Sequence, residues 1–296
     1  MRILLLGANG QVGTELRRSL RGLGDVVAAT RTGQLPDGGA CEAVDLAQVG
    51  DIADSVNRIA PDIVVNAAAY TAVDRAESEP DLSYRVNAEA PGALADACHG
   101  RGIPLVHYST DYVFDGRGSR PYREDDPTAP QNVYGASKLA GEQAIAASGA
   151  DHLILRTAWV YGLHGHNFLR TMLRLGAERD ALDVVDDQRG CPTPSWLIAD
   201  VTATILRRGR FETRIAHLVA SGETTWHGFA QAIFDDAVAI GRLDHAPVVR
   251  PVKSSNYPTP LSRPAYSVLD TARLHKTYGL ELPDWRQALA ITIGAA

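Results

Sequence analysis

Two residues in the stretch YGASK, Tyr134 and Lys138, have the types and the spacing of a proton-donating pair. Residues i and i+4 lie on one face of a helix, so both side chains project into the same space. A free phenol titrates near pH ~10. A protonated lysine, or an oxidised nicotinamide ring, would favour the phenolate and lower that pKa. Alone, the YxxxK pattern is weak evidence for catalysis, because it often occurs by chance. The same five residues could also form an ordinary turn of helix.

A hydroxyl residue upstream strengthens the interpretation. The string Tyr108-Ser109-Thr110-Asp111 closes an apolar run that is typical of a strand. If Thr110 lies beside Tyr134, the two hydroxyls can hold a substrate carbonyl and stabilise the alkoxide that forms as hydride arrives. The alternative is that Thr110 is only a β-branched strand residue or a cap. A glycine turn near the N-terminus precedes these residues in the chain. The combination predicts a catalytic set of Thr110, Tyr134 and Lys138.

That glycine turn follows the first apolar run. Gly7, Gly10 and Gly13 in GANGQVG have the spacing GxxGxxG, one residue wider than the dinucleotide fingerprint. Such glycines permit tight turns and close helix–strand packing, and the helix N-terminus offers free N–H groups to a pyrophosphate. A plain strand–turn–helix corner is the alternative. The position at the first βα turn favours a nucleotide.

The residues after the second strand indicate which nicotinamide cofactor is preferred. An acid there pairs with the ribose 2′-hydroxyl of NAD, whereas an arginine accommodates the 2′-phosphate of NADP. The sequence has Thr30-Arg31-Thr32 and no acid, which favours NADPH and leaves NADH open. A solvated loop cation is an equally good interpretation of Arg31. Asp45 either accepts a hydrogen bond from adenine or caps the next helix.

The elements that must position these residues alternate regularly in the first half of the chain. Strands are predicted over 2–6, 26–30, 43–44, 62–66, 103–110 and 152–157. Helices are predicted over 11–22, 48–59, 71–77, 82–100, 132–148, 195–208 and 225–240. Apolar strands separated by helices indicate a doubly wound parallel sheet, a Rossmann-like α/β fold. We predict a nucleotide-binding domain at 1–160, to which later segments can return, and a smaller C-terminal substrate-binding domain at 161–296.

Composition and charge limit the partners. The chain has 296 residues, a net charge of −6 and no stretch that concentrates lysine and arginine. Nucleic-acid binding needs such clusters to displace counterions, so no nucleic acid is expected. The first apolar run is too short for a signal peptide or a membrane span. Three scattered cysteines without CxxC spacing fit a reducing compartment. We expect a cytoplasmic protein without a membrane partner.

Five further residues in the second half are candidates for contact with a ligand or a metal. Arg189 and Arg263 either pair with a substrate diphosphate or form surface salt bridges. His164 and His166, in the string HGH, could bind a metal, but no acid or cysteine is placed nearby in the sequence. No metal is therefore expected. Trp226 is expected to pack at a helix start rather than to touch a ligand.

Longer strings carry a family resemblance. HYSTDYVFDG, NVYGASKLAGE, RTAWVYG, NFLRTMLRL, DDQRGCPTP and YPTPLSRPAYSVLD resemble the dTDP-4-dehydrorhamnose reductases, within the extended short-chain dehydrogenase/reductase superfamily. The resemblance runs from the first strand to about residue 290. RTAWVYG and the C-terminal SRP string are much more specific than YxxxK.

The resemblance implies that Thr110, Tyr134 and Lys138 are catalytic and that Asp111 and Trp159 contact a dTDP-sugar. The implied reaction reduces the 4-keto group of dTDP-4-dehydro-6-deoxy-L-mannose to dTDP-L-rhamnose. The implied cofactor-lining residues are Gly10, Gln11, Val12, Asp45, Leu46, Ala68, Ala69 and Thr71.

Other activities stay open at this point. In the related sugar-nucleotide dehydratases, as the resemblance implies, Asp-Glu follows the strand-end threonine and provides an acid/base pair for the elimination of water. This sequence has Tyr112 in place of that glutamate, which disfavours elimination. An epimerase of the same fold and a non-catalytic NADP-binding regulatory subunit are the two alternatives. The sequence also leaves open whether the protein forms a homodimer. The resemblance also implies that some relatives share a metal at a dimer contact through glutamates. Here Glu15 is present at one of those positions, but Trp196 occupies the other, which argues against that assembly.

Overall fold

A seven-stranded parallel sheet forms the centre of the computed structural model, which describes residues 1–256, 261 and 263–295. The strands are β1 (Arg2–Leu6), β2 (Asp25–Thr30), β3 (Glu42–Ala43), β4 (Ile63–Asn66), β5 (Leu105–Thr110), β6 (His152–Thr157), β7 (Val160–Tyr161), β8 (Ala181–Val185), β9 (Arg189–Gly190), β10 (Thr193–Pro194), β11 (Ile215–His217), β12 (Thr224–Thr225) and β13 (Val248–Val252). The order in the large sheet is β11-β6-β5-β4-β1-β2-β3.

Helices cover both faces of this sheet. They are α1 (Gln11–Ser19), α2 (Ile52–Ile59), α3 (Val73–Ala76), α4 (Pro80–Tyr84), α5 (Ala90–Arg101), α6 (Val133–Ala147), α7 (Phe168–Glu178), α8 (Ser195–Leu206), α9 (Trp226–Ala239), α10 (Ala272–Tyr278) and α11 (Trp285–Gly294). One apolar cluster packs α1, α8 and α10 on one face of the sheet. A second packs α2, α5 and α6 on the opposite face. The predicted doubly wound Rossmann-like fold is confirmed.

Three elements differ most clearly from the sequence-based prediction. The third strand is Glu42–Ala43 and ends before Val44. The predicted helix 71–77 is a single turn, Val73–Ala76. The predicted helix 82–100 begins earlier, as α4, and contains a π-helical turn at Arg85–Glu89. Within that turn Asn87 hydrogen-bonds the backbone of the segment that follows β4, a long-range contact that helical periodicity does not reveal.

The C-terminal half both extends the sheet and builds beside it. β11 pairs in parallel with β6, so the chain returns to the large sheet after residue 210. Three short strand pairs (β10–β7, β12–β9 and β13–β8) lie outside it. A third apolar cluster unites α7, α9 and α11 around Tyr161 and Phe229. The domain division at residue 160 stays a prediction.

Two further findings concern particular segments. In the string YPTPLSRPAYSVLD, positions 257–260 and 262 lie outside the described residues. Within the described part of the chain, no helix is long and apolar enough to cross a membrane.

Candidate active site

The carboxyl end of β5 and the first turn of α6 meet at one place. Asn132 caps α6, because its Oδ1 accepts a hydrogen bond from the Gly135 N–H at 2.8 Å. A Cβ on Gly135 would lie 2.2 Å from the Tyr112 carbonyl oxygen, so only glycine permits this close approach. The ring of Tyr134 meets the ring of Tyr112 edge-on, with centroids 5.6 Å apart. The helix start is thereby seated beside the strand end.

Thr110 links Tyr134 to a carboxyl group. Its hydroxyl donates to Asp111 Oδ1 at 2.9 Å and accepts from the Tyr112 N–H at 3.2 Å. A hydrogen bond also joins Thr110 to the Tyr134 phenol. Thr110 therefore lies beside Tyr134, as the predicted two-hydroxyl arrangement requires.

The ionisation of Tyr134 differs from the prediction. Burial raises the pKa of Tyr134 to about 12; the Thr110 hydrogen bond lowers this pKa and the Asp111 charge raises it. The prediction that Lys138 lowers this pKa is wrong for the described protein. The Lys138 Nζ bonds instead to the Tyr108 carbonyl at 2.7 Å and to His107 Nε2 at 3.0 Å. The phenol here is a neutral donor.

Asp111 is the most perturbed carboxyl group of the site. Its side chain is 3% exposed, and burial raises the pKa of Asp111 to about 6, although the neighbouring Ser267 and Thr110 hydroxyls oppose the shift. A carboxyl group with such a pKa changes charge near neutral pH. It lies one residue from Thr110, whose hydroxyl donates a hydrogen bond to it.

The glycine turn fits a nucleotide phosphate. Gly7 has a left-handed φ of +73°, and a Cβ there would lie 2.6 Å from Ala68 N. A Cβ on Gly13 would lie 2.0 Å from the Gly7 carbonyl oxygen. Gly10 precedes α1 and provides no side-chain cap, so the first N–H groups of the helix, at Gln11 and beyond, are available to an anion. This cradle is the observation that fits a dinucleotide.

The loop after β7 is fastened to this turn. Gln11 Oε1 accepts from Asn167 Nδ2 at 2.8 Å. His164 Nε2 lies 3.8 Å from Glu15 Oε1, an acid that is distant from the HGH string in the sequence. Among the described residues, no group of three metal-ligating side chains is assembled.

The predicted adenosine end of the cofactor site is a small cavity. Arg31 and Asp45 line a cavity of about 220 Å³. Arg31 is exposed, and Asp45 Oδ1 accepts from the Ala47 N–H at 2.9 Å, which is a turn-forming role. Leu46 is buried in the apolar cluster below the sheet, so only its backbone can face a ligand.

The remaining predicted cofactor residues lie at the edge of the same turn. Val12 is half-buried against the α1-side cluster, and Ala68 and Ala69 are half-buried just after β4. Thr71 is exposed, and its carbonyl accepts from the Val73 N–H at 3.0 Å. The Gly7–Ala68 approach brings these two segments together across β1 and β4.

Trp159 has an unusual backbone and an unusual partner. Its φ of 46° is left-handed, which is rare for a bulky residue and marks strain that the surroundings enforce. Its ring stacks on Trp226 with centroids 3.5 Å apart, nearly parallel. Trp226 is the first residue of α9, so the predicted packing at a helix start is observed. The stack presents a rigid aromatic surface near the strand ends.

The two candidate diphosphate arginines are already paired. Arg189 Nη1 lies 3.0 Å from Glu223 Oε1 and is exposed. Arg263 Nη2 lies 3.2 Å from Asp74 Oδ2 and joins the C-terminal segment to α3. Burial raises the pKa of the Tyr112 phenol and the charge of Arg263 opposes this shift, which places the Arg263 guanidinium beside the site.

Three residues of the site were not predicted from the sequence: Asn66, His107 and Tyr112. Asn66 Nδ2 lies 3.1 Å from His107 Nδ1, and the other ring nitrogen of His107 contacts Lys138. The available signal was a histidine inside an otherwise apolar strand and an asparagine at the end of another. Buried polar residues in such places need partners.

The fold and this site define a Rossmann-like protein of the extended short-chain dehydrogenase/reductase type. A family model described as "RmlD substrate binding domain" matches residues 1–296. The "dTDP-4-dehydrorhamnose reductase" of Burkholderia thailandensis is 48% identical over 302 aligned residues, covering 99% of this chain and 98% of that protein. The protein of the same name from Salmonella typhimurium is 46% identical, with 96% and 94% covered.

A solved structure from the same family has a similar fold. A dTDP-4-dehydrorhamnose reductase from Bacillus anthracis, crystallised in complex with NADP, is 33% identical with a TM-score of 0.90, covering 100% of this chain and 99% of that one. The chain belongs to the dTDP-4-dehydrorhamnose reductase family.

Proposed function

We propose that this protein reduces the 4-keto group of dTDP-4-dehydro-6-deoxy-L-mannose to dTDP-L-rhamnose, with NADPH preferred over NADH. The observation that carries the proposal is the hydrogen-bonded set Tyr134–Thr110–Asp111 at the carboxyl end of β5. The glycine cradle of β1 lies at the same edge of the sheet, where open α/β folds bind ligands. The names of the relatives and the NADP of the solved neighbour support the substrate and the cofactor.

When bound, NADPH supplies the hydride. Tyr134 donates its phenolic proton to the C4 oxygen of the sugar, so that the carbonyl becomes a secondary alcohol. Thr110 holds the phenol through their hydrogen bond and fixes its direction. Because the phenol keeps a raised pKa, its proton leaves only as negative charge builds on the carbonyl oxygen.

The proposed binding roles follow position. Asp111 and Trp159 contact the sugar nucleotide, and Arg189 and Arg263 pair with its diphosphate by exchanging their present carboxylate partners for phosphate oxygens. Lys138 hydrogen-bonds the nicotinamide ribose. The cofactor is held by Gly7, Gly10, Gln11, Val12, Gly13, Arg31, Asp45, Leu46, Ala68, Ala69 and Thr71. We place the substrate mainly against residues 161–296 and the reaction in the cytoplasm; a homodimer stays a prediction.

The test is a direct assay of the purified protein with NADPH and the 4-keto sugar, followed by nicotinamide absorbance. We expect Tyr134→Phe to lose ~10²–10⁴-fold in kcat, the range for a positioned acid, while NADPH binding by fluorescence is kept. Tyr84→Phe, at an exposed tyrosine, is the matched control and keeps full activity. Full activity of Tyr134→Phe would refute the role of the phenol.

The same assay separates the two alternatives. An epimerase recycles its cofactor, so it converts substrate without stoichiometric loss of NADPH. A regulatory subunit binds NADPH and shows no turnover. Replacing the dTDP-sugar by the UDP-sugar tests the nucleotide base, because equal kcat/KM values would contradict the proposed preference.

A further inference from the structure

A buried chain of polar contacts runs behind the catalytic pair. The Ala68 N–H donates to Asn66 Oδ1 at 3.1 Å, and Asn66 Nδ2 lies 3.1 Å from His107 Nδ1. His107 Nε2 lies 3.0 Å from Lys138 Nζ, which also donates to the Tyr108 carbonyl at 2.7 Å. Asn66, His107 and Lys138 are each at most 2% exposed, so no water from bulk solvent substitutes for these partners.

The direction of each hydrogen bond follows from its first member. A backbone N–H can only donate, so Asn66 must present its oxygen to Ala68 and its NH₂ group to His107. His107 Nδ1 must then accept, which leaves the proton of the neutral ring on Nε2. That Nε2–H points at Lys138 Nζ, where an amine has a lone pair to accept it and an ammonium has none.

We propose that Asn66 and His107 are positioning residues that set the protonation state of Lys138, the imidazole Nε2–H favouring the amine over the ammonium. The catalytic meaning rests on the proposed function. Lys138 then titrates closer to neutral pH than an ordinary lysine does. Burial lowers the pKa of Lys138 to about 8, in the same direction as the contacts, and burial lowers the pKa of His107, which keeps its ring neutral.

The other charged groups around Lys138 oppose this effect. Glu142, one turn further along α6, raises the pKa of Lys138. That carboxylate is itself held by Arg156 of β6 in a bidentate pair at 2.9 and 2.6 Å. Tyr134, also on α6, is neutral. The π-helical turn at 85–89 brings the uncharged Asn87 against Ser137 of α6, so among these neighbours the His107 Nε2–H is the contact that favours the amine, in addition to burial.

The composition makes a direct measurement practical. The chain contains only three lysines, Lys138, Lys253 and Lys276, and the last two are exposed. In the full-length protein labelled with ¹³Cε-lysine, NMR follows each titration separately, and Lys138→Met assigns the signal by its loss. We expect a midpoint near pH 8 for Lys138. A midpoint at or above the ordinary lysine value of 10.5 would overturn the proposal.

The tautomer is the sharper test. ¹⁵N shifts of the labelled histidines distinguish a protonated from an unprotonated ring nitrogen, and His107→Leu assigns the signals. We expect His107 to carry its proton on Nε2 at about pH 8.5, where the neutral ring predominates. A proton on Nδ1 would overturn the proposal. This measurement uses the free protein, so it stands whether or not the reductase activity is found.

Asn66→Asp should reverse the direction of the hydrogen bonds that run from residue 66 through His107 to Lys138. A carboxylate accepts from both Ala68 and His107, so the imidazole proton moves to Nδ1 and Nε2 accepts from a Lys138 ammonium. We expect the pKa of Lys138 to rise by at least about one pH unit, a tenfold change in proton affinity, and the pH profile of kcat/KM to follow. Asn57→Asp adds the same charge at an exposed position and should change neither. An unchanged tautomer in Asn66→Asp would overturn the proposal.

Discussion

Because the carboxyl group of Asp111 is buried, we predict that replacing it will raise the stability of the fold and lower the activity. In an unfolded chain Asp111 has the ordinary pKa of 3.8, and burial in the folded protein raises it to about 6. A difference of about two pH units corresponds to about 3 kcal/mol of destabilisation when the group is ionised. An asparagine side chain has the same shape and no charge, so Asp111→Asn should stabilise the fold by up to about 3 kcal/mol near pH ~7.5.

The pH dependence follows from the raised pKa. Above about pH 6 the carboxylate is ionised in both states, and the folded state carries the full cost of burying it. As the pH falls through about 6, the folded protein binds a proton and this cost declines. Below the ordinary value of 3.8 both states are protonated and the cost is absent. The advantage of Asp111→Asn should therefore be largest above about pH 7 and small near about pH 4.

Urea denaturation at about pH 7.5 and about pH 4.5 measures this difference through the midpoints of wild type and variant. Asp244→Asn, at an exposed aspartate, is the matched control and should show no pH-dependent gain. The same substitution at Asp111 should lower kcat/KM at least tenfold, because the carboxylate is proposed to contact the sugar. A variant that is less stable than wild type at the higher pH, or a gain that does not decline with pH, would refute the burial argument.

Three other predictions concern cofactor choice and packing. Arg31→Ala should raise KM for NADPH about tenfold and leave that for NADH unchanged in steady-state assays, whereas Arg21→Ala, also exposed, should alter neither. Glu142→Gln leaves the guanidinium of Arg156 buried without a charged partner and should cost about 3–5 kcal/mol in urea unfolding. Gly141→Ala should cost about 1–3 kcal/mol, because its Cβ would lie 2.1 Å from the Asn87 carbonyl.

Much of the fold was determined by local patterns in the sequence. Apolar runs of strand length, separated by helical periodicity, were sufficient to predict the parallel sheet, and the main strands lie where they were expected. The glycine spacing at 7, 10 and 13 is confirmed as a close backbone turn, because a missing Cβ is itself a local property. Thr110 and Tyr134 meet because a strand end and the next helix start are neighbours in this topology.

Tertiary structure alone decided the electrostatics of the site. The spacing of Tyr134 and Lys138 places both on α6, but the partners of Lys138 are His107 and the Tyr108 carbonyl on β5. The raised pKa of Tyr134 comes mainly from burial, and burial depends on what packs around a side chain rather than on its neighbours in sequence.

The pairing of Asn66 with His107 likewise depends on β4 lying beside β5, where these two residues are in register. The return of β11 to the sheet and the Arg263–Asp74 contact join residues that are far apart in the chain. Sequence determined which chemical groups this protein carries and which secondary structure presents them. Only the tertiary structure decided which groups are desolvated and which hydrogen bonds each one makes, because both depend on contacts between distant segments.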